Sequence, residues 1–135
     1  DTLRYAGDLV QAGTNAALSG DDMVTGTDAA DFLNGSIGQD TLTGLGGDDI
    51  LFGGSDGDEF VFGDGSGDDS IIDFDIASGD FLNVQDFGFA DQEAVLAAFA
   101  DVGTDAVLQL DQNDSVTLIG VSTSDLAAGD AWVLI

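Results

Sequence analysis

The sequence predicts an all-β-dominated chain wound into a right-handed parallel β-roll, closed at its far end by antiparallel strands and one short helix. Two observations carry that prediction. An aspartate and an apolar residue recur in one nine-residue register over residues 17–72, and beyond that stretch the register gives way to longer apolar runs. A third observation, an acidic chain with almost no positive charge, says what else the roll needs in order to fold.

Cut at nine-residue intervals, the first two thirds reads ALSGDDMVT (17–25), GTDAADFLN (26–34), GSIGQDTLT (35–43), GLGGDDILF (44–52) and GGSDGDEFV (53–61); after a two-residue slip at Phe62 and Gly63 comes DGSGDDSII (64–72). The sixth position is Asp22, Asp31, Asp40, Asp49, Asp58 and Asp69. The eighth is Val24, Leu33, Leu42, Leu51, Phe60 and Ile71, apolar in every unit. Each unit is therefore a turn followed by a minimal strand, with glycines supplying the backbone freedom of the turn and the eighth side chain pointing inward. One unit cannot bury that side chain alone. Two units per coil, with strands on opposite walls and loops at opposite edges, stack into a parallel roll with a thin apolar core.

The charge balance narrows the partners. One basic residue, Arg4, faces 27 acidic ones in 135 residues, for a formal net charge of -26, with no Lys or His. The field of such a molecule repels nucleic acid and anionic lipid, so neither is expected as a partner. Charge of this density opposes collapse, yet the hydrophobic fraction is 44%, so folding is expected to depend on neutralising the repulsion. There is no Cys, which excludes disulfides and thiolate metal sites. No apolar run approaches the ~18 residues of a membrane span, so no membrane insertion is expected. No N-terminal signal peptide is evident, and the start at Asp1 reads as a processed chain or an excised fragment.

The aspartates supply the neutralising site. In a two-unit coil, alternate units lie on one edge, about 4.7–4.9 Å apart in the strand-pairing direction. Facing carboxylates at that spacing repel unless a cation lies between them. Ca²⁺ takes 6–8 oxygens at about 2.3–2.6 Å, so twice its ligand distance matches the coil spacing. The expected pairs are Asp22 with Asp40 and Asp40 with Asp58 on one edge, and Asp31 with Asp49 and Asp49 with Asp69 on the other. Loop oxygens at Gly35, Gly44, Gly46, Gly53, Ser55 and Gly57 are expected to complete the shells, for several ions, about four or more.

These units resemble the RTX nonapeptide GGxGxDxUx, with U a large apolar residue, of secreted bacterial proteins such as serralysin-type proteases, hemolysins and alginate epimerases. GLGGDDILF and GGSDGDEFV lie close to that pattern, with Leu45 at the second Gly position and Asp56 at the fourth, whereas Ala29 stands at a fourth-Gly position of GTDAADFLN. The resemblance implies a calcium-bound parallel β-roll. Beyond the repeats, DSIIDF and the later SGDFLNV are similar to the segments that close the roll in that family, which implies Asp73 and Asp80 as terminal calcium ligands.

The remaining elements follow from local pattern. DQEAVLAAFAD, 91–101, reads as a short helix with Asp91 as N-cap, Glu93 in the first turn, and Val95, Leu96 and Phe99 on one face. DAVLQLD (105–111) and SVTLIGV (115–121) read as a hairpin around Gln112, Asn113 and Asp114. Ser124, Asp125 and Leu126 are expected to open one more turn before a last strand, AWVLI, with Trp132 in the core. The expected organisation is thus a lead-in at 1–16, the roll at 17–80 and a capping region at 81–135. Within the lead-in, Leu3, Tyr5, Leu9 and Val10 either pack on the first coil or belong to the tail of an upstream domain.

Catalytic motifs fail on chemistry. Gly53-Gly54-Ser55-Asp56-Gly57 fits GxSxG, but a hydrolase triad needs a base and the chain has no His. The glycine-rich stretch at 63–67 carries Asp64, is followed by Asp68 and Asp69, and has no Lys, so it repels phosphate. An EF-hand started at Asp73 puts Ser78 where Gly is needed and Val84 where Glu is needed. A glycosidase carboxylate pair fits by residue type alone, but the repeat already accounts for nearly every carboxylate pair. No enzyme activity is expected.

Two functional readings stay open. In the first, the chain is a calcium-binding module that folds after export through a type I secretion system and forms the C-terminal folding and secretion part of a larger secreted protein, with a catalytic domain upstream. The resemblance implies that DAWVLI, 130–135, is the uncleaved signal read by the secretion apparatus. In the second, the chain is a stand-alone structural or adhesive protein of the cell surface, self-associating through calcium or exposed strand edges. Both place it outside the cell.

Overall fold

The computed structural model describes residues 2–4 and 19–135; the packing expected of Tyr5, Leu9 and Val10 lies outside the described residues. Short strands alternate between two walls, as the nine-residue period demands. β1 (Thr2–Arg4), β2 (Met23–Thr25), β4 (Thr41–Thr43), β6 (Glu59–Val61), β8 (Phe81–Asn83) and β12 (Val133–Leu134) form one sheet in that order. β3 (Phe32–Ile37), β5 (Ile50–Ser55) and β7 (Asp68–Ile71) begin the other, which continues through β11 (Ser115–Leu118), β10 (Asp105–Gln109) and β9 (Phe99–Val102).

Within the roll every pairing is parallel and in register. Met23 faces Thr41, which faces Glu59, which faces Phe81; Phe32 faces Ile50, which faces Ser70. The eighth-position residues Val24, Leu33, Leu42, Leu51, Phe60 and Ile71 are all fully buried, and Leu82 extends the same column into β8. Fully burying a side chain of this kind contributes about 1.5–3 kcal/mol, so the column is the apolar half of the roll's stability. The two-residue slip is absorbed where Phe62, buried, donates its amide to Asn83 O at 3.0 Å, and the coil lengthens without loss of register.

After β8 the chain changes wall and direction. β11 pairs with β7 in parallel, whereas β10 and β9 return antiparallel, so the expected hairpin caps the open end of one sheet while β12 closes the other. Two expectations need correction here. The helix read over 91–101 is only α1 (Gln92–Ala97), capped by the Asp91 side chain accepting the Ala94 amide at 2.8 Å. Phe99 leaves the helical face and opens β9, where it packs inward while its backbone pairs with Leu108. Six residues make too little helix to hold its own against a strand partner. The turn expected at Ser124–Leu126 is instead a second helix, α2 (Thr123–Ala128), set by a capping box in which Ser122 and Asp125 bond each other's backbone amides.

Trp132 fastens this cap. It is fully buried, stands edge-on to Phe99 with centroids 5.8 Å apart, and donates its Nε1–H to Leu126 O at 2.9 Å. Trp132→Ala is expected to cost about 3–5 kcal/mol, read as a lower thermal midpoint at saturating calcium, because the cavity and the orphaned carbonyl add to the lost contact. A change below about 1 kcal/mol would show that the cap folds without this anchor.

Candidate metal centre

Strand register fixes where the aspartates sit. Asp22, Asp31, Asp40, Asp49 and Asp58 lie immediately before their strands, where the carbonyl of each accepts an amide of the next coil: Thr41 N–H to Asp22 O, Ile50 to Asp31, Glu59 to Asp40, Ser70 to Asp49 and Phe81 to Asp58, at 2.8–2.9 Å, whereas Asp69 is the second residue of β7. The side chain reaches back the other way. Asp40 Oδ1 accepts the Asp22 amide at 2.9 Å, Asp49 that of Asp31 at 2.8 Å, Asp58 that of Asp40 at 2.9 Å, Asp69 that of Asp49 at 2.8 Å and Asp80 that of Asp58 at 2.9 Å. All four expected pairs are therefore neighbours, arranged as one continuous rung-to-rung ladder along each edge.

The second oxygens differ. Asp22, Asp31, Asp40, Asp49, Asp58 and Asp69 are all buried, and Oδ2 of Asp40, Asp49, Asp58 and Asp69 has no hydrogen-bond partner. An unpartnered buried carboxylate oxygen costs on the order of kilocalories per mole, and four of them in a chain of this charge are a deficit that only a cation or a proton removes. Burial accordingly drives these groups toward the protonated form: Asp49 and Asp58 are each raised to about 7 and Asp69 to about 8, first by desolvation and then by neighbouring carboxylates, against the opposing amide bonds. Asp40 is raised by the same causes.

In three units the first glycine makes room for that oxygen. A Cβ on Gly35, Gly44 or Gly53 would collide with Oδ2 of Asp40, Asp49 or Asp58 respectively, so these glycines are set by close approach. Gly44→Ala is expected to destabilise the roll by about 1–3 kcal/mol and raise the calcium midpoint roughly tenfold, measured by fluorescence against a calcium buffer series. An unshifted midpoint would mean that the Asp49 oxygen is not where the ion binds. Among the other loop residues named from sequence, Ser55 offers its carbonyl to the Gly38 amide at 3.3 Å, Gly57 lies against the backbone of Ser78 and Gly79, and Gly46 lies beside Asp28 and Gly65.

The terminal aspartates are satisfied by backbone. Asp80 takes the Asp75 amide at 2.8 Å on its second oxygen, and Asp73 takes the amides of Gly53 and Gly54 at 3.0 and 2.8 Å. Asp114, expected only in the hairpin turn, is buried and receives the amides of Gly65 and Gly67, both at 2.9 Å, from the loop before Asp69. Its carboxylate also groups with those of Asp64 and Asp111, their oxygens within 4.8 Å of one another. Its signal was weak because the hairpin breaks the nine-residue period that revealed the others.

Residues 17–51 and 25–60 match the family model of the RTX calcium-binding nonapeptide repeat, which spans four copies. Residues 17–60 are thus similar to RTX calcium-binding repeats. Calcium is the ion these repeats bind, and the RTX roll is a structural calcium-binding element. A similar solved structure is the solution structure of the AlgE6R3 subunit from the Azotobacter vinelandii mannuronan C5-epimerase, 26% identical over 86% of this chain and 78% of that chain, with a TM-score of 0.36. No curated protein matches. RTX-repeat proteins are typically secreted, and no described helix is long and apolar enough to cross a membrane.

Proposed function

We propose that this chain is a non-catalytic folding module whose RTX roll assembles on calcium after export. The observation that carries the reading is the set of four buried, partnerless oxygens on Asp40, Asp49, Asp58 and Asp69 in a chain of net charge -26. Those four carboxylates, with Asp22 beside them on the ladder, would hold the ions, and loop oxygens would fill the remaining positions. In a cytosol poor in free calcium the ladders repel and the chain stays open, the state a type I secretion channel can thread. Calcium outside the cell then binds the folded state alone and stabilises it.

The position of the last residues supports this order of events. Trp132 is fully buried and Val133–Leu134 pairs with β8, so the Trp132 side chain and the backbone of 133–134 are open to a secretion apparatus only before the roll closes, whereas the Leu134 and Ile135 side chains stay exposed. The module would serve as the C-terminal folding and secretion part of a larger protein. A second reading, surface assembly, is favoured by Ile72 and Ile119, each 41% exposed and each the residue that follows one of the paired strands β7 and β11.

Calorimetric titration with Ca²⁺, with Mg²⁺ as control, tests the module. Several ions bound per chain with magnesium unable to replace them is the expected result; no binding, or equal binding of magnesium, would overturn it. Sedimentation velocity in calcium then separates the readings, since a monomer at every concentration excludes surface self-assembly.

A further inference from the structure

The Asp31 rung differs from those of Asp40, Asp49, Asp58 and Asp69. Its Oδ2 lies over Gly26, the first glycine of its unit, just as Oδ2 of Asp40, Asp49 and Asp58 lies over Gly35, Gly44 and Gly53. Those three oxygens have no partner. Asp31 Oδ2 has two: the Thr27 amide at 2.6 Å and the Thr27 hydroxyl at 2.9 Å. Both are donors, so their positive ends occupy the side of the oxygen from which a cation would approach.

The backbone gives an independent reason. Thr27 is the second residue of its unit, and the equivalents Ser36, Leu45 and Gly54 all take left-handed conformations, with φ of 88°, 71° and 105°. Thr27 does not. A β-branched residue is strained there. Kept on the right-handed side, its amide and hydroxyl close back on the carboxylate four residues ahead, while the hydroxyl also accepts the Ala29 amide at 3.1 Å. The turn is thus completed from within.

We propose that Thr27 takes the place of a calcium ion at Oδ2 of Asp31, so that this oxygen is satisfied without metal while Oδ2 of Asp40, Asp49, Asp58 and Asp69 requires it. The inference rests on the calcium reading of the roll. It makes position two of each unit a selector: a residue that enters the left-handed region leaves its aspartate open to an ion, and a β-branched hydroxyl residue closes it. Asp31 Oδ1, which has no donor among the described residues, lies at the end of the described ladder and is the oxygen that elsewhere receives the amide of the preceding rung.

The test counts ions. Equilibrium dialysis against buffered Ca²⁺ should give the wild-type number for Asp31→Asn, one ion fewer for Asp49→Asn, and one more for Thr27→Gly and for Thr27→Ser, whose residues can turn left-handed as Gly54 and Ser36 do. Circular dichroism in calcium confirms that each variant is folded; if Asp31→Asn fails to fold, the Thr27→Gly and Thr27→Ser counts decide. Loss of an ion in Asp31→Asn, or no gain in Thr27→Gly while the wild type binds several, overturns the inference and leaves the calcium module standing. A wild type that binds none removes both.

Discussion

Moving the calcium-loaded chain into chelator at neutral pH is expected to unfold the roll. Ligand that binds only the folded state stabilises it by RT ln(1 + [L]/Kd), about 2.7 kcal/mol per site at a hundredfold excess. The four open oxygens on Asp40, Asp49, Asp58 and Asp69 mark four places to bind. Together they would contribute on the order of 10 kcal/mol, as much as the whole stability of an ordinary domain. Losing that term leaves a thin apolar column against the repulsion of a chain with net charge -26. Far-UV circular dichroism and scanning calorimetry should show the β signal and the unfolding endotherm vanish together, then return when calcium is restored. Strands that persist in chelator with an unchanged endotherm would mean that the ladders fold on hydrogen bonds alone.

Without calcium, acid should take the ion's place. The ladder carboxylates ordinarily titrate at 3.8, and in the folded chain Asp80 is raised to about 6, Asp49 and Asp58 to about 7 and Asp69 to about 8. Desolvation by burial is the leading cause in each. Because the folded pKa lies above the unfolded one, the folded state binds more protons across the window between them. Its stability in chelator is therefore greatest near pH 4 and is lost as the pH rises through about 6 to 8. Each carboxyl ionising in that window contributes a slope of about 1.4 kcal/mol per pH unit. Acidifying the chelated chain from pH 8 to pH 5 should restore β signal, the reverse of ordinary acid denaturation. With calcium present the same protons compete with the ion, so the calcium midpoint should rise on going from pH 8 to pH 6. A chelated chain that loses structure on that acid step would show that the ladder aspartates are ionised and solvated.

The period made the roll legible. Asp at position six and an apolar residue at position eight are dictated by a coil that repeats its geometry, and all twelve of those side chains are buried. Gly35, Gly44 and Gly53 could be read as loop residues from the same register, but their close approach to a carboxylate oxygen depends on the folded side chain. Where the period stops, local pattern was less decisive. Phe99 fits a helical face as well as a strand, and only the pairing of β9 with β10 assigns it. The capping box of Ser122 and Asp125 emerges only from the folded backbone, because a short segment with few apolar residues reads equally as a turn.

By itself the sequence determined the two-unit coil, the buried column, the two aspartate ladders and the need for a cation, because each follows from a repeat imposed on a chain with almost no counter-charge. The tertiary structure decided which oxygens remain open. Asp31, Asp73, Asp80 and Asp114 differ from Asp40, Asp49, Asp58 and Asp69 through amides and a hydroxyl that folding brings to them: Gly53 and Gly54 at Asp73, Asp75 at Asp80, Gly65 and Gly67 at Asp114, and Thr27 at Asp31. A carboxylate's letter is the same in every unit, whereas its free lone pairs depend on which donors the coils set beside it.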